Sequence, residues 1–243
     1  MITRALVLAA GKSTRISSIS NGLPKPLLPV GGRSIVARSM DWLAESGVSD
    51  VWVNLHYRPD DIRDALGDGS QFGLKISYVV EPQILGTAGA FKNLESRWTD
   101  TTLVVYGDNL MRFDLAAFET NHRASKAAAT VALFDPSAHA NTKIAGGLVA
   151  LDDRGWVRSW AEGKASPGAR YVNAGAYLLE PSVSQSIGSG YRDFGAEVLP
   201  AQTARGTLRG HVLEPSGYCL GLDTPESYHI AEELISRGQV VLQ

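Results

Sequence analysis

The chain has 243 residues, enough for one large α/β domain or two small ones. Its 44% apolar and 20% charged residues are ordinary globular usage, which excludes intrinsic disorder. A net charge of −2 argues against bulk binding to nucleic acid or to an anionic membrane, and the single cysteine, Cys219, excludes an internal disulfide framework and a cysteine-based zinc site.

The apolar run from Ala5 to Ala10 is shorter than the roughly 7–15 residues of a secretory core, and no stretch approaches the roughly 18 of a membrane helix. These features and the cysteine usage lead to the expectation of a soluble, cytoplasmic protein. Ala5–Ala9 reads as a buried strand, followed by a Gly/Ser/Pro-rich loop from Gly11 to Pro29. Val36, Met40 and Leu43 mark a helix that stops at Gly47. Then come a strand over Val51–Leu55, a short helix around Ile62 and Leu66, a strand over Lys75–Val80 and a helix from Thr87 to Glu95. A strand over Thr102–Tyr106, a helix near Asp114–Ala124 and a strand over Ala129–Phe134 complete the first half. This alternation predicts an α/β, doubly wound, mixed but mainly parallel sheet with helices on both faces. Ligands of such sheets sit beyond the carboxyl ends of the strands.

After about residue 140 the texture becomes β-rich. Gly147–Leu151 and Trp156–Trp160 flank Asp152-Asp-Arg-Gly155 as a hairpin, and Tyr171–Leu179 is a further strand. Asp193–Leu199 reads as a helix, with short strands around Val212 and Leu220. A last helix over Thr224–Arg237 is capped by Thr224, with Pro225 at its first position. With no linker or repeat, residues 1–243 are expected to form one domain, in which 141–243 pack on 1–140 as a lid. Oligomeric state stays open, a homo-oligomer included.

The segment Leu8-Ala9-Ala10-Gly11-Lys12-Ser13-Thr14-Arg15 leads from a strand into small residues, whose amides can approach an anion closely. Arg15 and Lys25, the latter within Pro24-Lys-Pro26, add positive charge to the same loop. A P-loop is excluded, because it needs Gly at position 6, which is Leu.

These residues resemble the signature loop of the sugar-1-phosphate nucleotidyltransferases, a family with a Rossmann-like α/β core. Further segments match in the family's order. Glu81-Pro82 with Leu85-Gly86-Thr87-Ala-Gly89 resembles its base- and sugar-binding stretch, Tyr106-Gly107-Asp108 its metal-binding Gly-Asp, Asn173-Ala-Gly175-Ala-Tyr177 its sugar-binding stretch, and Leu222-Asp223-Thr-Pro-Glu-Ser-Tyr228 its second metal aspartate. The resemblance implies transfer of a nucleoside monophosphate from a nucleoside triphosphate to a sugar-1-phosphate, with release of pyrophosphate. It implies Arg15 on the leaving phosphates, Lys25 between the attacking and α-phosphates, and Mg²⁺ on Asp108 and Asp223, the donor set that this ion accepts alongside phosphates and water. Glu162, Lys164, Asn173 and Gly175, with Gly107, would hold the sugar phosphate. Lys164 is displaced by Gly163 from the family's adjacent Glu-Lys, which puts its reach in doubt, and Arg170 is the substitute at hand. Amides opening the helix at Thr87–Gly89 would meet a hydroxyl or phosphate.

Glu81 could accept two hydrogen bonds from guanine but only one from uracil or thymine, which favours GTP. The resemblance is strongest to heptose- and mannose-1-phosphate guanylyltransferases. The alternatives are a UTP- or dTTP-dependent enzyme acting on a hexose or N-acetylmuramate 1-phosphate, transfer of CMP to an alcohol phosphate, and a catalytically silent nucleotide-sensing subunit. His56, His122, His139, His211 and His229 lack metal-ligand spacing and read, like the tryptophans, as packing or surface residues.

Overall fold

Strand β1 (Arg4–Leu8) lies inside a mixed sheet that, among the described residues, has nine strands. The structure, a computed structural model, describes residues 1–143, 146–163 and 168–242. After β1, a single helical turn α1 (Ser17–Ser20) and a small ladder of β2 (Pro29–Val30) with β3 (Arg33–Ser34) interrupt the stretch read as loop. Helix α2 (Ile35–Glu45) starts at Ser34, whose hydroxyl accepts from Ala37 N. There follow β4 (Asp50–Leu55), α3 (Pro59–Leu66), β5 (Lys75–Val80), α4 (Gly86–Asn93) and β6 (Thr102–Tyr106). Strands β6, β1, β4 and β5 lie side by side and parallel, as the alternating pattern predicts.

Both faces of this parallel part are covered, which explains its near-continuous apolar strands. Ala5, Val7 and Ala9 face one core with Val36, Met40 and Leu43 of α2, and Leu6 and Leu8 face the other with Ala88 and Phe91 of α4. Strand β7 (Asn109–Arg112), absent from the sequence reading, leaves this sheet. It pairs antiparallel with β13 (Tyr218–Gly221), with Asn109 opposite Gly221. Strand β13 is thus in a separate ladder, not at the edge of the main sheet.

Helix α5 (Leu115–Ser125) is capped by Asp114 and leads to β8 (Ala129–Phe134). The expected hairpin is present as β9 (Leu148–Leu151) and β10 (Val157–Ala161), closed by Asp152 Oδ1, which accepts from Arg154 N and Trp156 N. Strand β11 (Tyr171–Leu179) joins the two parts of the sheet. Its first residues pair with β9, its last with β6, and its other edge runs along β8. Between Asn173 and Tyr177 the register with β8 shifts, and Gly175 takes φ +73° there. Helix α6 (Pro181–Ser186) follows; the stretch read as one helix over Asp193–Leu199 is a π-helical turn (Phe194–Val198) leading into α7 (Leu199–Ala204). Strand β12 (Leu208–Val212) pairs parallel to β8, and α8 (Pro225–Ser236) closes the chain behind a Thr224–Ser227 capping box. No helix is long and apolar enough to cross a membrane among the described residues.

Candidate active site

Beyond the carboxyl ends of β1, β4 and β6 lies a cavity of about 420 Å³, lined by the whole loop Leu8–Ile16, Lys25, Glu81, Gly86, Thr87, Asp108 and Asp223. The loop is held at its root, where Ala9 N donates to Asn54 Oδ1 at 2.9 Å. The next amides, those of Ala10, Gly11, Lys12 and Ser13, have no hydrogen-bond partner among the described residues, and a ligand is free to use them. Ser13 is left-handed (φ 56°), and its hydroxyl accepts from Lys25 N at 2.7 Å. That bond ties the Lys25 segment to the loop.

Lys25 is 4% exposed. Its ammonium lies 2.9 Å from Asp108 Oδ2 and 2.5 Å from Asp223 Oδ1. Burial opposes the ammonium charge, but the two facing carboxylates hold its pKa above the ordinary lysine value. Arg15, with its side chain 71% exposed, approaches Asp223 Oδ1 at 3.4 Å. Lys12 is exposed at the same rim. The two aspartates meet because the β7–β13 ladder sets Asn109 opposite Gly221, which brings the residues just outside both strands to one end.

Two carboxylates already sharing one buried cation are a fitting donor set for Mg²⁺, which commonly takes one or two carboxylates and fills the rest of its shell with phosphate and water. No cluster of three or more His, Cys, Asp and Glu suited to a metal exists among the described residues.

Glu81 lines the same cavity but is only 2% exposed. Its Oε1 accepts from Asn54 Nδ2 at 2.8 Å and its Oε2 from Leu85 N at 2.9 Å. Both oxygens therefore serve the chain, in a relay Glu81–Asn54–Ala9 that fixes the loop. Each oxygen accepts one bond from the chain and keeps a further lone pair, so a base edge would have to share a carboxylate that already holds the loop. The start of α4 departs from expectation in the same way. Ala88 N and Gly89 N donate to Arg192 O at 3.0 and 3.1 Å, so these amides are not free for a substrate. The Thr87 hydroxyl donates to Asp193 Oδ2 at 3.0 Å and accepts from Phe194 N at 2.8 Å.

A second cavity, of about 340 Å³, adjoins the first and shares Arg15, Thr87, Asp108 and Asp223 with it. Glu162, Asn173 and Gly175 line it. The Glu162 carboxylate is wedged between two glycines: a Cβ at Gly147 or Gly195 would stand 2.7 or 2.8 Å from its Oε2. Partial burial, and then the neighbouring Asp193 carboxylate, raise its pKa above the usual carboxylate range. Asn173 Oδ1 accepts from Gly175 N at 2.9 Å and its Nδ2 donates to Tyr177 Oη at 2.8 Å, closing the bulge in β11.

Other expected residues lie elsewhere. Gly107 lines neither cavity; its N–H donates to Leu8 O, and a Cβ there would stand 2.7 Å from Val7 Cγ1, so it serves the packing of β6 on β1. Lys164 falls outside the described residues. Arg170 does not line the cavity, and its Nε and Nη2 each lie 2.6 Å from Asp135 Oδ2. Sequence reasoning missed Asp193, Asn54, Tyr106 and Tyr191 as cavity residues. A polar Asn at the end of an otherwise apolar strand was the one visible signal.

The sequence pattern of the nucleotidyl transferase family matches residues 4–236. The chain belongs to that family. It is 32% identical over 239 residues to a mannose-1-phosphate guanylyltransferase of Mycobacterium tuberculosis, covering 96% of this chain and 65% of the relative. To a UTP–glucose-1-phosphate uridylyltransferase of Synechocystis it is 30% identical, over 81% of this chain and 54% of the relative. The chain thus spans two thirds or less of the length of these curated family members. Among solved structures, HddC from Yersinia pseudotuberculosis superposes with a TM-score of 0.78 at 26% identity, over 96% of this chain and 99% of that one. That protein has also been crystallised with GMP-PN.

Proposed function

We propose that this protein is a Mg²⁺-dependent sugar-1-phosphate nucleotidyltransferase that uses GTP and a mannose- or heptose-type 1-phosphate. The observation that carries the reaction type is the buried Lys25 ammonium held by Asp108 and Asp223 beside a run of free loop amides. The guanine preference is supported by the guanylyltransferase relative and by the nucleotide analogue bound to HddC.

In this reading a phosphate oxygen of the sugar-1-phosphate attacks the α-phosphorus in line, and the bond to the bridging oxygen of the pyrophosphate breaks. The nucleophile is already ionised near neutral pH, so no general base is needed. The protein's task is to neutralise and align two anions. The amides of Ala10–Ser13 cradle the triphosphate, and Arg15 moves in from solvent onto the leaving phosphates. Lys25 swings from the aspartates to lie between non-bridging oxygens of the attacking and α-phosphates, as a compact point charge. Asp108 and Asp223 would hold Mg²⁺, which supplies charge neutralisation at the phosphates. Glu162, with Asn173 and the open backbone at Gly175, receives the sugar hydroxyls.

The test is pyrophosphate release from GTP, UTP, dTTP, ATP and CTP, each paired with mannose-, heptose-, glucose- and N-acetylmuramate-1-phosphate and Mg²⁺. The fastest turnover is expected for GTP with mannose- or heptose-1-phosphate. A faster UTP or dTTP pair overturns the guanine assignment. No turnover with any pair, with nucleotide still bound, overturns the enzymatic reading in favour of a silent nucleotide-binding subunit.

A further inference from the structure

Tyr191 is a large aromatic residue left 61% exposed, whereas Phe194, three positions on, is fully buried. Its exposure does not come from a loose backbone. The adjoining Arg192 donates through its N–H to Leu85 O at 2.8 Å and accepts at its carbonyl from Ala88 and Gly89 of α4. Gly86, at φ +76°, makes this contact feasible: a Cβ there would collide with Arg192 O and stand 3.1 Å from Tyr191 Cε2. The ring therefore sits against the first turn of α4, on a segment fixed by three main-chain hydrogen bonds. It lines the cavity shared with Ala9, Gly11 and Asn54, and does not line the one that holds Glu162. Its hydroxyl has no hydrogen-bond partner among the described residues.

A flat ring carried on a fixed backbone beside the cavity, with its apolar surface in water, suits a ligand that brings a flat face of its own. A heterocyclic base gains stacking on such a ring, and the fixed main chain beneath it lowers the ordering cost. The edge-reading alternative is weakened at the same site, since both Glu81 oxygens are engaged within the chain. We propose that Tyr191 is a nucleotide-binding residue whose ring stacks on the base, favouring a purine over a pyrimidine through the larger shared face. This rests on the reading of the adjoining cavity as the nucleotide site.

The experiment is calorimetric titration of the full chain with GTP, UTP and inorganic tripolyphosphate, each with Mg²⁺, for wild type, Tyr191→Ala and Tyr191→Phe. Tyr191→Ala is expected to weaken GTP by about tenfold and UTP by less, and to leave tripolyphosphate unchanged, with Tyr191→Phe like wild type. Equal weakening of tripolyphosphate by Tyr191→Ala would indicate a structural role and overturn the proposal. Wild type that binds GTP while Tyr191→Ala binds it equally overturns this proposal alone. Folded wild type that binds tripolyphosphate but gains nothing from any base overturns the nucleotide reading along with it.

Discussion

The Lys25 ammonium donates to Asp223 Oδ1 at 2.5 Å across the rim of the sheet, and to Asp108 Oδ2 at 2.9 Å. In the proposed reaction, lysine and divalent ion would compete for this one pair of carboxylates. Released from the aspartates, Lys25 would be free to face the substrate phosphates.

Lys25→Met is accordingly expected to reduce turnover by about 100-fold or more, the scale of losing one preorganised charge at a developing transition state. It is also expected to bind Mn²⁺ more tightly than wild type, as read by electron paramagnetic resonance, because the internal competitor is gone. Asp223→Asn should bind Mn²⁺ more weakly. Weaker Mn²⁺ binding by Lys25→Met would show that lysine and metal do not compete.

Glu81→Gln places an amide where two donors, Asn54 Nδ2 and Leu85 N, each point at a carboxylate oxygen. One buried donor loses its acceptor, at a cost of about 1–3 kcal/mol. Thermal unfolding should show the loss. Steady-state kinetics should show equal damage to GTP and UTP use, since the relay to Ala9 serves the loop and not a base. A selective loss of GTP use would restore a direct contact between Glu81 and guanine.

Glu162→Gln should raise KM for the sugar-1-phosphate by about tenfold and leave KM for the nucleotide unchanged, because Glu162 lines only the second cavity. Its pKa is raised by partial burial and by Asp193. Affinity for the sugar phosphate should therefore begin to fall, on acidification, above the pH at which an ordinary glutamate protonates. Comparing KM against pH for wild type and Glu162→Gln checks both points.

Asp135 accepts from the Ser137 hydroxyl and amide and pairs with Arg170, which together hold its pKa down at about 2. The folded value lies below the unfolded one, so the stability this group contributes is present above the unfolded aspartate value, near pH 4, and is lost as the pH falls towards 2. Asp135→Asn should lower the melting temperature at pH 6, and the gap from wild type should close between about pH 4 and pH 2. A gap that persists at pH 2 would assign the effect to packing.

Local pattern in the sequence determined most of the elements and the rim on which they converge. Apolar runs bounded by turn residues gave β1, β4, β6 and β8, because burial on both faces demands such runs, and the turn residues Asp152–Gly155 gave the β9–β10 hairpin. The loop Leu8–Arg15 and its partner Lys25 were legible for the same reason: an anion-facing backbone needs small residues next to a buried strand. Tertiary structure alone decided which polar groups are free. Asp108 and Asp223 meet only through the pairing of β7 with β13, and four-residue β7 carries too little pattern to announce a strand. Glu81 and Thr87 carry side-chain types that suit ligands, and packing gives each a partner far along the chain, Asn54 for Glu81 and Asp193 for Thr87. A hydrogen-bond partner distant in sequence leaves no local trace, so type and position show that a group can bind, and only packing shows what it already binds.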